Sequence, residues 1–271
     1  MTGLRLSGLG SVGGMGAQAV AGYDTASMAL FARFSTPPTA ARKALINNLV
    51  VALKAAGVWS KMDALYLTAA ADNQAAQRNW VADAFNLTEA VAAPIFTADR
   101  GYQGNGSTQW IDTGFNPTTA VGPKFTQNSA HQGLWSRTSL LCAAGVSYDA
   151  GNANSRIGRR GNVADGLAAN AAVWANFSAN AVTANSYPGY SVWSRSSAAL
   201  FETYGAGVDT GGGTTASAAL TNANFNICRA NSSNWGTNQI AAFHFGSNLT
   251  AAEVLAFNAA LYTYLLGVGA V

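Results

Sequence analysis

The sequence predicts a mainly-β protein, an antiparallel jelly-roll sandwich with an N-terminal helical region and a C-terminal helix. Three observations predict it. From residue 94 onward, short runs holding Trp, Tyr, Phe and Ile alternate with Gly, Asn, Ser and Asp clusters, the pattern of a sandwich. Residues 40–56 and 250–266 carry helical periodicity instead. Only 27 of the 271 residues are charged, 15 basic and 12 acidic, against about a quarter in an ordinary soluble domain. Exposed strand faces must then be polar through Asn, Ser and Thr.

Residues 1–37 read as a flexible Gly/Ala-rich attachment arm, within which 28–34 alternates loosely as a strand would. A glycine-interrupted stretch at 11–16 argues against a cleaved leader, whose apolar stretch is continuous. Residues 38–93 form a small helical and mixed region. Its first helix is capped by Thr39, or by Thr36 with Pro37 in the first turn. Leu45, Ile46, Leu49, Val50 and Leu53 line one face and Gly57 stops it. A strand over 64–70, a short helix over 73–81 with Trp80 inward, and a strand over 86–91 follow.

The sandwich occupies 94–271. Asn105-Gly106 fits a type I′ hairpin turn, which needs positive φ at both positions. Further strands are expected over 132–138, 140–147, 155–160, 171–178, 189–195, 198–204, 215–220, 224–230 and 238–245, with 205–213 as a loop. The closing helix carries a capping box, Thr250-Ala251-Ala252-Glu253, and an apolar stripe of Val254, Phe257, Leu261 and Leu265.

Composition excludes several functions. A net charge of +3 without a Lys/Arg run opposes nucleic-acid binding. No apolar run is long enough for a membrane helix. Glycoside hydrolysis needs a pair of positioned carboxylates, and the three glutamates, Glu89, Glu202 and Glu253, are scattered, the last accounted for by the cap. The histidines, His131 and His244, lie 113 positions apart, and His244 between Phe243 and Phe245 must face away from both rings. Neither Gly104-Asn105-Gly106-Ser107 nor Gly211-Gly212-Gly213-Thr214 carries the Lys of a phosphate loop. No catalytic residue, metal ligand or cofactor is assigned. Cys142 and Cys228 are equally compatible with a disulfide and with buried thiols. Arg156, Arg159 and Arg160 form a basic cluster best read as a solvated strand end.

Two segments together resemble the concanavalin A/laminin-G-like jelly roll. The first runs Phe96-Thr97-Ala98-Asp99-Arg100-Gly101-Tyr102, through Gly104-Asn105-Gly106-Ser107-Thr108, to Ile111-Asp112-Thr113-Gly114. The second runs from Gln239 through Phe243-His244-Phe245 to Leu249-Thr250-Ala251-Ala252-Glu253. The order helix, hairpin, jelly roll, helix, with the segment 53–70, resembles virion proteins of tailed phages and phage-like gene transfer agents over residues 38–266. The resemblance implies a non-enzymatic spike, fibre or tail-tip component located on the particle. It would contact host-surface polysaccharide and join other capsid or tail proteins through its N-terminal region, as a homo-oligomer. A secreted carbohydrate-binding module is the alternative, and a jelly-roll glycan hydrolase or lyase the next. Laminin-G-like relatives also imply loop-bound calcium, for which Asp112, Asp149, Asp165 and Asp209 are candidates without an assigned site.

Glycan binding by such a fold uses aromatic platforms beside amides and hydroxyls. The candidates are Trp235 with its neighbour Asn234 in a polar loop, then Trp193 and Trp174.

Overall fold

The computed structural model describes residues 22–140, 147–159, 170–175, 181–186, 188–232 and 234–271, with only the backbone described at 159, 170–175, 181–186 and 231. Two antiparallel sheets face each other. The larger runs in the spatial order β13 (Val208–Gly213), β12 (Phe201–Gly205), β11 (Gly189–Arg195), β6 (Ala130–Ser136), β17 (Gln239–Gly246), β4 (Gly101–Gln103) and β3 (Ile95–Thr97). β1 (Met62–Tyr66) pairs with β17 on the edge that β4 also uses. The smaller sheet runs β10 (Ala181–Ser186), β9 (Asn170–Ala175), β8 (Ser155–Arg159), β7 (Ser147–Gly151), β14 (Asn226–Ile227), β5 (Ile111–Asp112) and β2 (Thr88–Glu89). A separate two-stranded ribbon joins β15 (Arg229–Asn231) to β16 (Asn234–Trp235). Helices α1 (Thr25–Phe31), α2 (Ala40–Ala55), α3 (Asn73–Ala76) and α4 (Ala251–Gly267), with a 3-10 turn over Trp59–Lys61, complete the described elements. The mainly-β antiparallel sandwich with a C-terminal helix is therefore the observed architecture.

Alternation along the central strands explains the layering. Leu134, Trp193, Phe243 and Phe245 point inward and meet Ile111, Ala150, Ile157 and Ile227 of the smaller sheet. Their neighbours Trp135, Val192, Ala242 and His244 point outward, where α2 and α4 cover them with Val50, Leu53, Val254, Phe257 and Leu261. Every residue of β6 and β17 is buried, because both faces of these strands are covered. Each fully buried Leu, Val or Phe contributes about 1.5–3 kcal/mol, so the helical layer is integral to the fold.

Both long helices start as the sequence requires. Thr39 accepts from the Arg42 N–H at 3.2 Å. At α4, the Thr250 hydroxyl caps the Glu253 N–H and the Glu253 carboxylate accepts from the Thr250 N–H at 2.7 Å. That carboxylate also pairs with Lys61 at 2.7 Å. Through β1 and the α2–α4 contact, residues 38–93 share a sheet and a core with the sandwich.

Several local expectations change. Residues 25–31 are a helix, not a strand: Asp24 caps it, and Ser27 and Leu30, three apart, share its buried face. The flexible arm expected over 1–37 is thus structured from α1 onward, while residues 1–21 lie outside the described residues. Asn105-Gly106 is not a hairpin tip. β4 belongs to one sheet and β5 to the other, so the corner between them crosses the sandwich. The Asn105 side-chain oxygen stabilises that corner by accepting from the N–H groups of Ser107, Thr108 and Gln109 at 2.9–3.1 Å. The two-residue hairpin with positive φ at both turn positions occurs instead at Ala206-Gly207 (φ 50° and 82°). It turns β12 into β13, so the stretch read as a loop over 205–213 is largely an edge strand. Residues 215–220 form no strand.

Candidate functional site

The sequence-predicted platforms separate sharply. Trp193 is fully buried between the sheets, edge-on to Phe125 with ring centres 6.0 Å apart. It cannot present a ring to a ligand, which corrects its assignment: an inward strand position sends a large aromatic to the core. Trp174 lies on β9 opposite Arg156, but its side chain is outside the described residues. Trp235 and Asn234 are half-buried on β16.

Trp235 leads to a cluster that local sequence did not reveal. Cys228 adopts left-handed φ (63°) between β14 and β15, which turns the chain and carries Arg229 onto the ribbon opposite Trp235. The Arg229 guanidinium carbon stands 3.3 Å from the Trp110 ring centre and 5.5 Å from that of Trp235. A planar guanidinium stacks well on an indole face. One Arg229 nitrogen reaches Asn226 at 3.4 Å, while Nε is buried without a hydrogen-bond partner. Burial lowers the Arg229 pKa and the Asp112 carboxylate acts against that; the group stays cationic.

Trp110, Asp112, Asn224, Asn226, Arg229 and Ser232 line a groove of about 450 Å³. Ala153, Ala223 and Ala230 complete the lining with small side chains. Asp112 accepts both from the Gly114 N–H at 2.8 Å and from the Asn224 amide at 3.0 Å, which fixes both side chains. The site therefore combines a half-buried aromatic face with convergent amide, carboxylate and guanidinium groups, the composition of a pocket that orients a polar ligand. Trp110 immediately follows the Asn105 corner, and Arg229 follows Cys228. The only hint in the sequence was that large side chains abut polar turns.

The other titratable candidates have structural roles. His131 and His244 are buried and adjacent. His131 Nδ1 reaches the Ser247 carbonyl, so it donates. His131 Nε2 must then accept, from His244 Nδ1 at 3.0 Å, and His244 Nε2 accepts from the Tyr190 hydroxyl at 2.8 Å. The chain of donors is complete and each ring is neutral. Burial pulls the His131 pKa down to about 4 and His244 well below its ordinary value, with His131 lowering it further. Gly133 makes room for this pair: a Cβ there would stand 2.3 Å from His244 Nε2.

Among the glutamates, Glu89 accepts from Asn73 and Gln77, Glu202 accepts from the Tyr204 hydroxyl, and Glu253 caps α4. Asp149 is buried, accepting from Ser147 and Asn238, and Asp209 binds the Gly211 N–H. Among the described residues no three His, Cys, Asp or Glu side chains gather as a metal cluster; Asp165 lies outside them. Arg156 stacks over Tyr148 at 4.7 Å, while the Arg159 side chain and Arg160 lie outside the described residues. Cys228 is buried, which pushes its thiol pKa up, and Cys142 lies outside the described residues. Among the described residues no helix is long and apolar enough to cross a membrane.

No protein-family model matches this chain. No curated protein matches it either. Solved structures do. The botulinum neurotoxin serotype D binding domain is similar over 75% of this chain and 52% of its own, with 9% identity and a TM-score of 0.50. Domain 4 of AbnA, a GH43 extracellular arabinanase from Geobacillus stearothermophilus in complex with arabinotriose, is similar over 73% of this chain and 98% of its own, with 16% identity and a TM-score of 0.47. Trypanosoma rangeli sialidase aligns over 80% of this chain and 39% of its own, with 10% identity and a TM-score of 0.47. What the chain shares with the toxin domain is the sandwich fold.

Proposed function

We propose that this protein is a non-enzymatic glycan-binding domain whose site is the groove lined by Trp110, Asp112, Asn224 and Arg229; the sequence-predicted Trp235 and Asn234 do not line it, Trp235 meeting only the Arg229 guanidinium. One observation carries the reading: the half-buried Trp110 indole converges with fixed Asp112 and Asn224 side chains and with the Arg229 guanidinium around one groove. Sugars present hydroxyls to such groups and their ring faces to an indole, which has an apolar body. The glutamates, each held by separate neighbours, supply no paired acid and base.

The test is binding to a panel of polysaccharides and glycan fragments, read by affinity electrophoresis and calorimetry. Saturable binding that Trp110→Ala weakens at least tenfold is expected, with the melting curve nearly unchanged. Unaltered binding by that variant, or depolymerisation of the polysaccharide, overturns the reading.

We further propose that the domain works on a phage or phage-like particle, as a homo-oligomer attached through its N-terminal region to capsid or tail proteins. This placement rests on the motif resemblance. Peptide mass spectrometry and immunogold labelling of purified particles test it. Its recovery from culture medium free of particles, as a monomer, overturns it in favour of a secreted carbohydrate-binding module.

A further inference from the structure

Helix α4 is apolar on two faces. Val254, Phe257, Leu261 and Leu265 cover the larger sheet. On the opposite side Leu255, Tyr262 and Leu266 stand in solvent, 55%, 47% and 54% exposed. A surface helix of a globular protein places its charged residues on that side, yet no residue from Val254 to Gly267 is charged. The neighbouring α2 continues the surface with Ala44, Asn48, Val51 and Ala55, all exposed and uncharged. Its lysines lie on the flank beside α1, Lys43 over the Phe31 ring and Lys54 paired with Asp24.

The solvent side of α4 has the period of a helix-pairing seam. Ala252, Leu255, Ala259, Tyr262 and Leu266 are spaced alternately three and four apart, as in a coiled coil. All five are exposed. The Trp135 ring, 6.1 Å from that of Tyr262 between centres, steadies the largest of them. Such a seam is completed by another helix. Residues 1–21 suit that role poorly, since six of them are glycines, which disfavour a helix more than any residue but proline.

A second copy of α4 suits it well. Small and large residues alternate from Ala252 to Tyr262. An antiparallel pairing sets Leu255 of one copy against Ala259 of the other, and Tyr262 against Ala252. A parallel pairing would stack alanine on alanine and tyrosine on tyrosine. An uncharged face also meets no like charge across a two-fold axis, where one patch contacts itself. We propose that α4 pairs antiparallel with α4 of a second copy, making a two-fold dimer with Val51 of α2 at its rim. This dimer rests on the homo-oligomer reading and gives it an interface. The helices cover the outer face of the larger sheet, whereas the groove is built around β5, β14 and β15. Each copy therefore keeps its groove open, and the pair can hold one polymer at two points.

Sedimentation velocity of the full chain over a dilution series tests the pairing, and a reversible dimer is expected. Leu255→Lys should raise its dissociation constant at least tenfold with the far-ultraviolet circular dichroism unchanged. Val121→Lys, at a fully exposed loop position, should leave the dimer as it is. With photo-reactive benzoylphenylalanine at position 262, cross-links should map to the stretch of α4 around residue 252 in the other copy. A monomer at every concentration overturns the dimer and the homo-oligomer reading together. An oligomer that Leu255→Lys leaves intact, or cross-links from position 262 into residues 1–21, into another protein or onto position 262 of the other copy, overturns the antiparallel α4 pairing alone.

Discussion

The His131–His244–Tyr190 chain and the groove around Trp110 and Arg229 are built from the same kinds of side chain, a nitrogen-rich group among aromatics. They differ in enclosure. In the first, every ring nitrogen and the tyrosine hydroxyl have a partner, and α4 covers them, with Phe257 4.2 Å from His244 between ring centres. In the second, Trp110, Asp112, Asn224 and Arg229 are only half-buried and line an open groove. A satisfied buried network fixes a structure; a half-buried polar and aromatic lining is available to a ligand. The two clusters should therefore respond oppositely to substitution, one in stability and the other in affinity.

The largest contrast should come from tryptophans. Trp193→Ala should cost about 3–5 kcal/mol through the cavity it leaves between the sheets, measured by urea unfolding, while the folded fraction keeps its glycan affinity. Loss of affinity without loss of stability would place Trp193 at the site and undo the division. Next, Gly133→Ala should destabilise by about 3 kcal/mol, because the new Cβ displaces His244 and frees the Tyr190 hydroxyl and His131 Nε2. Glycan binding by the protein that remains folded should not change.

The pH response follows with its sign fixed. The folded pKa of His131 is depressed to about 4, against about 6.5 unfolded. Its contribution is thus fully present above pH 6.5 and is lost as pH falls toward 4, by roughly 2–3 kcal/mol. His244, depressed in the same direction, adds to the loss. Urea midpoints measured at pH 7, 5.5 and 4 should decline across that window. A flat profile would mean that the pair is not neutral and buried as a unit. The smallest effect should come from Arg229→Lys, which keeps the charge but loses the planar stack on Trp110. A three- to tenfold loss of glycan affinity, with an unchanged unfolding midpoint, would separate stacking from charge at the groove.

The helices were the most legible elements, since periodicity and caps are local. Thr39 with the apolar face of Leu49, Val50 and Leu53, and Thr250 with Glu253, both appear as read. The outward placement of His244 between two inward phenylalanines was legible too, because a strand alternates with period two. Residues 28–34 were not, since Met-Ala-Leu-Phe-Ala-Arg-Phe suits either period and the contact with α2 decides. The Asn105-Gly106 corner was misread for a related reason. Turn chemistry states that the chain turns, not which sheet receives the next strand.

The sequence by itself determined an antiparallel sandwich with capped helices, and its sparse charge left few acids and bases for catalysis. The pairing of His131 with His244 across 113 positions, the burial of Trp193, and the meeting of Trp110 with Arg229 and Trp235 were decided only by the tertiary structure. The reason is physical. Periodicity and capping act over one to four residues, whereas whether an aromatic is core or platform depends on what the opposite sheet, or its absence, places over the ring.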